Sequence, residues 1–133
     1  MMKRWGIAYL ATALTFVALD FVWLTQTAGL YRHEIGPLLL DHPRLGPAIL
    51  FYLAYLFGVV LFVVMPGLKQ SRWISVAGRG GMFGLIAYGT YDLTNLATLK
   101  GFSVTLTVVD LAWGFAVTGV AATVGYLAAR RFG

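Results

Sequence analysis

Three of the five acidic residues, Asp20, Asp92 and Asp110, stand inside apolar stretches, while Glu34 and Asp41 fall in a mixed segment between two such stretches. A carboxylate in hydrocarbon costs at least about 2.5–3.5 kcal/mol, so three of them are not expected to face lipid. They should instead converge, and a converged set can share a proton, hold a cation, pair with a basic side chain or meet a cationic ligand. Spacing supports convergence, because each Asp lies on a stripe of polar, aromatic or small residues three or four positions apart. The stripes are Ala13, Phe16, Asp20, Trp23 and Thr27; Gly81, Gly84, Tyr88, Asp92 and Asn95; and Thr107, Asp110, Gly114, Thr118 and Ala121, with Trp113 beside the last. The expected ligand-binding set is Asp20, Trp23, Tyr88, Asp92, Asn95, Asp110 and Trp113.

Other chemistries find less support. His33 and His42 stand next to Glu34 and Asp41, but no H-x-x-x-H or H-E-x-x-H spacing occurs, and no metal site is assigned. With no Cys there is no disulfide or thiolate ligand. No Ser-His-Asp order or phosphate-cradling glycine loop appears, so catalytic residues and any cofactor stay unassigned. A purely structural role is the competing account: Asp20 would bond Asn95 or Tyr88, Lys100 would reach Asp92 or Asp110, and the cluster would only lock helices together. Gly80-x-x-x-Gly84 reads as close helix packing. Tyr52, Tyr55, Trp23 and Tyr126 fit an interfacial belt as well as a binding site.

The elements that must position these groups follow from solvent physics. Of 133 residues, 59% are hydrophobic and 11% charged, against about 25% charged in a soluble domain. The mean hydropathy of +0.79 makes the bilayer the solvent. Apolar runs at 6–24, 47–65, 80–99 and 103–129 predict four spans in a single membrane domain covering 1–133. Helix is the only secondary structure that so few spans can adopt in lipid. The expected fold is therefore an all-α integral membrane four-helix bundle, with an outer loop over 25–46 and a cytoplasmic loop over 66–79. The short connection at Lys100-Gly101-Phe102 makes helices three and four a tight antiparallel hairpin.

Lys3, Arg4, Lys69, Arg72, Arg79, Arg130 and Arg131 share one side, and only Arg32, Arg44 and Lys100 fall opposite. By the positive-inside rule both termini are cytoplasmic. Spread this way along the chain, the basic residues form no patch, which argues against a nucleic-acid partner. Lys3-Arg4 before an apolar run resembles a signal peptide, yet the run has full spanning length and carries Asp20 and Trp23, so helix one is expected to be retained. From helix rise, Asp92 and Asp110 lie roughly 10–12 Å below the outer boundary, with Asp20 shallower. The segment Tyr31 to Arg44, with Leu38-Leu39-Leu40 among its charges, either caps the carboxylates as a lid or rests on headgroups.

The Asp20-Phe-Val-Trp23 end of helix one, the Gly89-Thr-Tyr91-Asp92-Leu-Thr-Asn95-Leu-Ala-Thr98-Leu segment and Asp110-Leu-Ala-Trp113-Gly114 resemble a bacterial family of four-helix membrane proteins catalogued as domain of unknown function 2177. The resemblance covers nearly the whole chain. It implies topology and a bacterial inner-membrane location, and it carries no substrate, cofactor or reaction. Small multidrug exporters also place a carboxylate in helix one, but their chains are shorter and their charge bias weak.

Three functions fit these features. An accessory membrane protein would use the carboxylate pocket for a small amphipathic or cationic ligand or lipid, or would dock a larger membrane complex. A proton- or cation-coupled transporter would work as a homo-oligomer, since four spans make a narrow pathway. An intramembrane enzyme acting on a lipid or isoprenoid would use one Asp as base and another as acid.

Overall fold

The computed structural model describes residues 2–133. Four helical rods account for nearly all of them: α1, Met2–Ile35; α2, Leu45–Gln70; α3, Trp73–Thr98; and α4, Val104–Phe132. No strand occurs among the described residues. Three helical segments, Met2–Leu38, Leu45–Gln70 and Val104–Phe132, are long and apolar enough to cross a membrane. The protein is thus an all-α membrane protein.

The third rod departs from the expectation of four apolar spans. At 26 residues α3 has spanning length, but it is not among the three that qualify by hydropathy. Arg79, Asp92, Asn95 and several glycines dilute its apolar content. Their placement explains how the helix tolerates them. Gly80, Gly81, Gly84, Gly89 and Asp92 are all buried, so the polar and small face of α3 meets protein.

That face lies against α4. A Cβ on Gly80 would stand 2.9 Å from Ala122 Cβ and 3.1 Å from the Thr118 carbonyl; one on Gly84 would collide with the Gly114 carbonyl and the Thr118 hydroxyl. Gly114 in turn receives the Tyr88 ring, and Gly119 faces the Ala77 carbonyl. Ascending positions of α3 thus meet descending positions of α4. Between the two helices Gly101 takes φ +76°, a conformation that a side chain would oppose.

The other side of α4 carries α1. Gly125 receives Thr12 and Ala8, and Gly133 lies against Arg4. The second rod touches the rest mainly through its middle. There Val60–Val64 forms a π-helical turn in which the Met65 N–H donates to the Val60 carbonyl. Pro66 follows directly, and a proline ring clashes with the carbonyl four residues back, so widening the turn before it relieves the clash. Val60, Val63 and Val64 from this turn join Val59, Val117, Ala121, Ala122 and Tyr126 in the main apolar core.

Helix one is longer than its apolar run. It continues past Leu24 to Ile35, followed by a 3-10 turn at Gly36–Leu38, so much of the segment expected as a loop is ordered helix. A second, smaller core of Ile35, Phe102 and Leu106 holds this extension against the start of α4. Ser103 caps α4 by accepting from Leu106 N at 2.9 Å, and its hydroxyl donates to Glu34 Oε1 at 2.5 Å. The capping serine thus fastens the two helix tips to each other.

Candidate functional site

At the end where α1 and α4 are pinned by Ser103, the second rod stands apart from its neighbours and a cavity of about 850 Å³ opens. That is near the upper end of the size range typical of small-molecule pockets, about 300–1,000 Å³. Asp20 and Asp110 line it, together with the aromatic rings of Trp23, Tyr31, Phe51, Tyr52, Tyr88 and Tyr91. Leu39, Leu40, Asp41 and Pro43 close one side, so the segment after α1 takes part in the wall.

A short hydrogen-bonded relay runs through the site. Trp113 Nε1 donates to Asp20 Oδ1 at 3.2 Å. Trp23 stacks flat on Trp113, with centroids 4.5 Å apart and planes 3° from parallel, and its own Nε1 donates to the Tyr31 hydroxyl at 3.3 Å. Tyr31 then donates to Asp110 Oδ1 at 2.7 Å. Asp20 and Asp110 are 8% and 6% exposed, and their donors are neutral indole and phenol groups. Among the described residues the only ion pair is His33 with Glu34, 2.9 Å apart, so no basic side chain is bonded to any of the three aspartates. The pairing with Lys100 expected of a purely structural cluster is absent there, and Lys100 is exposed.

Asp92 differs from its two companions. It is fully buried, and neither carboxylate oxygen has a hydrogen-bond donor among the described residues. The ionisable group it faces is the Asp110 carboxylate. Two facing acceptors need something between them, and a proton or a cation supplies it.

The structure therefore brings Asp20, Trp23, Asp110 and Trp113 into one constellation, puts Tyr88 on the cavity wall, and leaves Asp92 behind Asp110. Asn95 is half-buried and does not line the cavity. Asp20 on α1 is bonded to Trp113, one turn along α4 from Asp110.

Sequence reasoning missed Tyr31, which joins Trp23 to Asp110, and left Tyr52, now on the cavity wall, between a belt and a binding role. The signal for Tyr31 was there to be read. Asp20, Trp23, Thr27 and Tyr31 fall on one helical face if the helix does not stop at Leu24, and no proline interrupts the chain before Pro37. Among the described residues no three His, Asp or Glu side chains gather as a metal-ligand set.

Fold and site together define a helical, multi-pass membrane protein with carboxylates buried beside an aromatic cavity. The family model described as "Predicted membrane protein (DUF2177)" matches residues 5–127, and the chain belongs to that family. No curated protein and no solved structure matches the chain.

Proposed function

We propose that this protein is a multi-pass protein of the bacterial inner membrane that binds a small amphipathic ligand with a cationic head in the cavity between α1, α2, α3 and α4. The observation that carries the reading is the pairing of two buried carboxylates, Asp20 and Asp110, with a wall of aromatic rings in a cavity of about 850 Å³. Aromatic faces attract cations by roughly 0.5–2 kcal/mol each, carboxylates supply the counter-charge, and the apolar wall takes a hydrocarbon tail. In this reading α3 crosses the bilayer as the first half of a hairpin with α4, both termini are cytoplasmic, and the cavity opens toward the periplasm. Fusions of a cytoplasm-active reporter to each terminus test the orientation; activity lost at both ends would reverse it, and activity lost at one end only would mean an odd number of spans.

The binding test is native mass spectrometry of protein extracted in mild detergent. A retained small molecule is expected in the wild type and is expected to be lost in Asp20→Asn and Asp110→Asn. Retention that is unaffected by both substitutions would falsify the proposal, and a retained protein subunit in place of a small molecule would transfer the site to complex docking.

One observation favours a second reading, a proton- or cation-coupled transporter assembled as an oligomer. It is the donorless, fully buried Asp92 facing Asp110, an arrangement suited to holding and releasing a cation or proton. Liposomes containing the protein are then expected to take up a cation or proton, with Asp92→Asn abolishing uptake. Equal uptake by that variant removes the reading.

A further inference from the structure

The opposite end of the bundle gathers the charges that are scattered in sequence. Lys3 and Arg4 from the start of α1 and Lys69 from the end of α2 surround a recess of about 430 Å³, whose remaining lining is Met65, Leu68 and Gly133. Three helix ends separated by most of the chain are needed to build it, which is why no basic patch is visible in the linear order. Gly133 lines the recess and lies against Arg4.

Two features give the recess a ligand chemistry. All three cations are exposed and none is in ion-pair contact with a carboxylate among the described residues, every Asp and Glu side chain lying elsewhere in the bundle. Three cationic side chains around one recess, none bonded to an acidic side chain, attract a phosphate-sized anion. The floor is apolar: Met65 and Leu68 are only partly covered and belong to a helix long and apolar enough to cross a membrane. A free phosphate has no use for such a floor. A phosphodiester attached to acyl chains fits both, with its headgroup at the cations and its chains running along the apolar sides of α1 and α2.

We propose that Lys3, Arg4 and Lys69 form a binding site for the headgroup of an anionic phospholipid. The site is independent of the carboxylate cavity and of the ligand proposed for it. It differs from the general attraction of basic residues to an anionic leaflet in requiring positive charge at these three positions and not merely the same total charge.

The test uses the full chain in mild detergent, titrated with phosphatidylglycerol, phosphatidylcholine or inorganic phosphate and read by native mass spectrometry. Phosphatidylglycerol is expected to bind in preference to phosphatidylcholine, and more weakly as salt is raised. Each of Lys3→Gln, Arg4→Gln and Lys69→Gln should weaken binding about fivefold. Lys69→Arg should restore it. Arg79→Gln, which removes the same charge outside the recess, should leave it unchanged. Equal retention of the two lipids overturns the proposal, as does an Arg79→Gln loss matching that of Lys69→Gln. Displacement of the lipid by equimolar inorganic phosphate would likewise overturn it and give the recess to a soluble anion. Because Lys3 is exposed in the first turn of α1, its variant keeps the test decisive if Lys69→Gln folds poorly.

Discussion

The two ends of this bundle are built on opposite rules. Toward the end that holds Lys3 and Gly133, helix meets helix through the absence of side chains: Gly67 receives Val76, Gly125 receives Thr12, and Gly80 faces Ala122. Toward the other end, helices meet through polar side chains, with Tyr31 to Asp110, Trp113 to Asp20 and Ser103 to Glu34. The first kind of contact brings helix backbones together and leaves only a smaller recess at the tips, whereas the second spaces the rods and surrounds the larger cavity. Apolar packing in lipid gains stability from close approach. Directional bonds between long side chains hold a fixed separation, which is what a ligand site requires.

The difference predicts unequal responses to substitution, and the largest belongs to the close-packed contacts. In Gly84→Leu the new side chain would enter the Gly114 carbonyl and Thr118, parting α3 from α4. Overpacking of this kind costs about 3 kcal/mol. Thermal unfolding in detergent should show it as a large fall in midpoint. Gly78 has open space around the same position on its own residue, so Gly78→Leu is the matched control and should be tolerated. If the two variants unfold alike, close approach is not what holds this region together.

Next in size is Tyr31→Phe at the polar end. It removes the donor to Asp110 and the acceptor of Trp23 at once. Losing a buried hydrogen bond and leaving its partner unsatisfied costs about 1–3 kcal/mol, so a loss of about 2 kcal/mol is expected. The same variant should weaken ligand retention in the cavity, since Tyr31 lines it. Destabilisation without any change in ligand retention would mean that the relay is scaffolding alone.

Ser103→Ala comes third. The substitution deletes both a helix cap and the bond to Glu34. Cap losses run about 1 kcal/mol. Hydrogen exchange should locate the effect in the first turn of α4 and in the last turns of α1. An effect spread over the whole chain would contradict the role of Ser103 as a local pin.

How much of this was legible beforehand divides along the same line. The apolar runs and the i, i+4 glycines speak directly about packing in lipid, and the burial of Gly80, Gly84 and Gly114 follows from them. The inward facing of Asp20, Asp92 and Asp110 was also legible, because the cost of a carboxylate in hydrocarbon applies whatever the fold. The polar end was not legible in detail. Helix one leaves its apolar run at Leu24 but not its helix, so hydropathy ends where the most informative contacts begin. Tyr31, Glu34 and Ser103 are common residues in a hydrated segment, and only the length of α1 reveals that they meet α4. Asn95 shows the converse: it shares the stripe of Tyr88 and Asp92, yet that stripe leaves the cavity wall after Tyr88, and neither Asp92 nor Asn95 lines the cavity.

The smallest effect expected is also the one of opposite sign. Asp92 is enclosed at the polar end without a donor and faces the Asp110 carboxylate. Asn has nearly the same shape and brings two N–H donors, so Asp92→Asn converts a pair of acceptors into a donor and an acceptor. A neutral hydrogen bond contributes about 1 kcal/mol, and the burial of one ionisable group is avoided as well. The variant should therefore unfold at an equal or slightly higher temperature than the wild type. Residues kept against stability are the usual mark of a working site, and a gain here would place Asp92 with the ligand-handling groups of the polar end. Should Asp92→Asn instead lose as much as Tyr31→Phe, Asp92 would be a strut like the glycines, and the division of the bundle into a packed end and a working end would fail at a fully buried carboxylate.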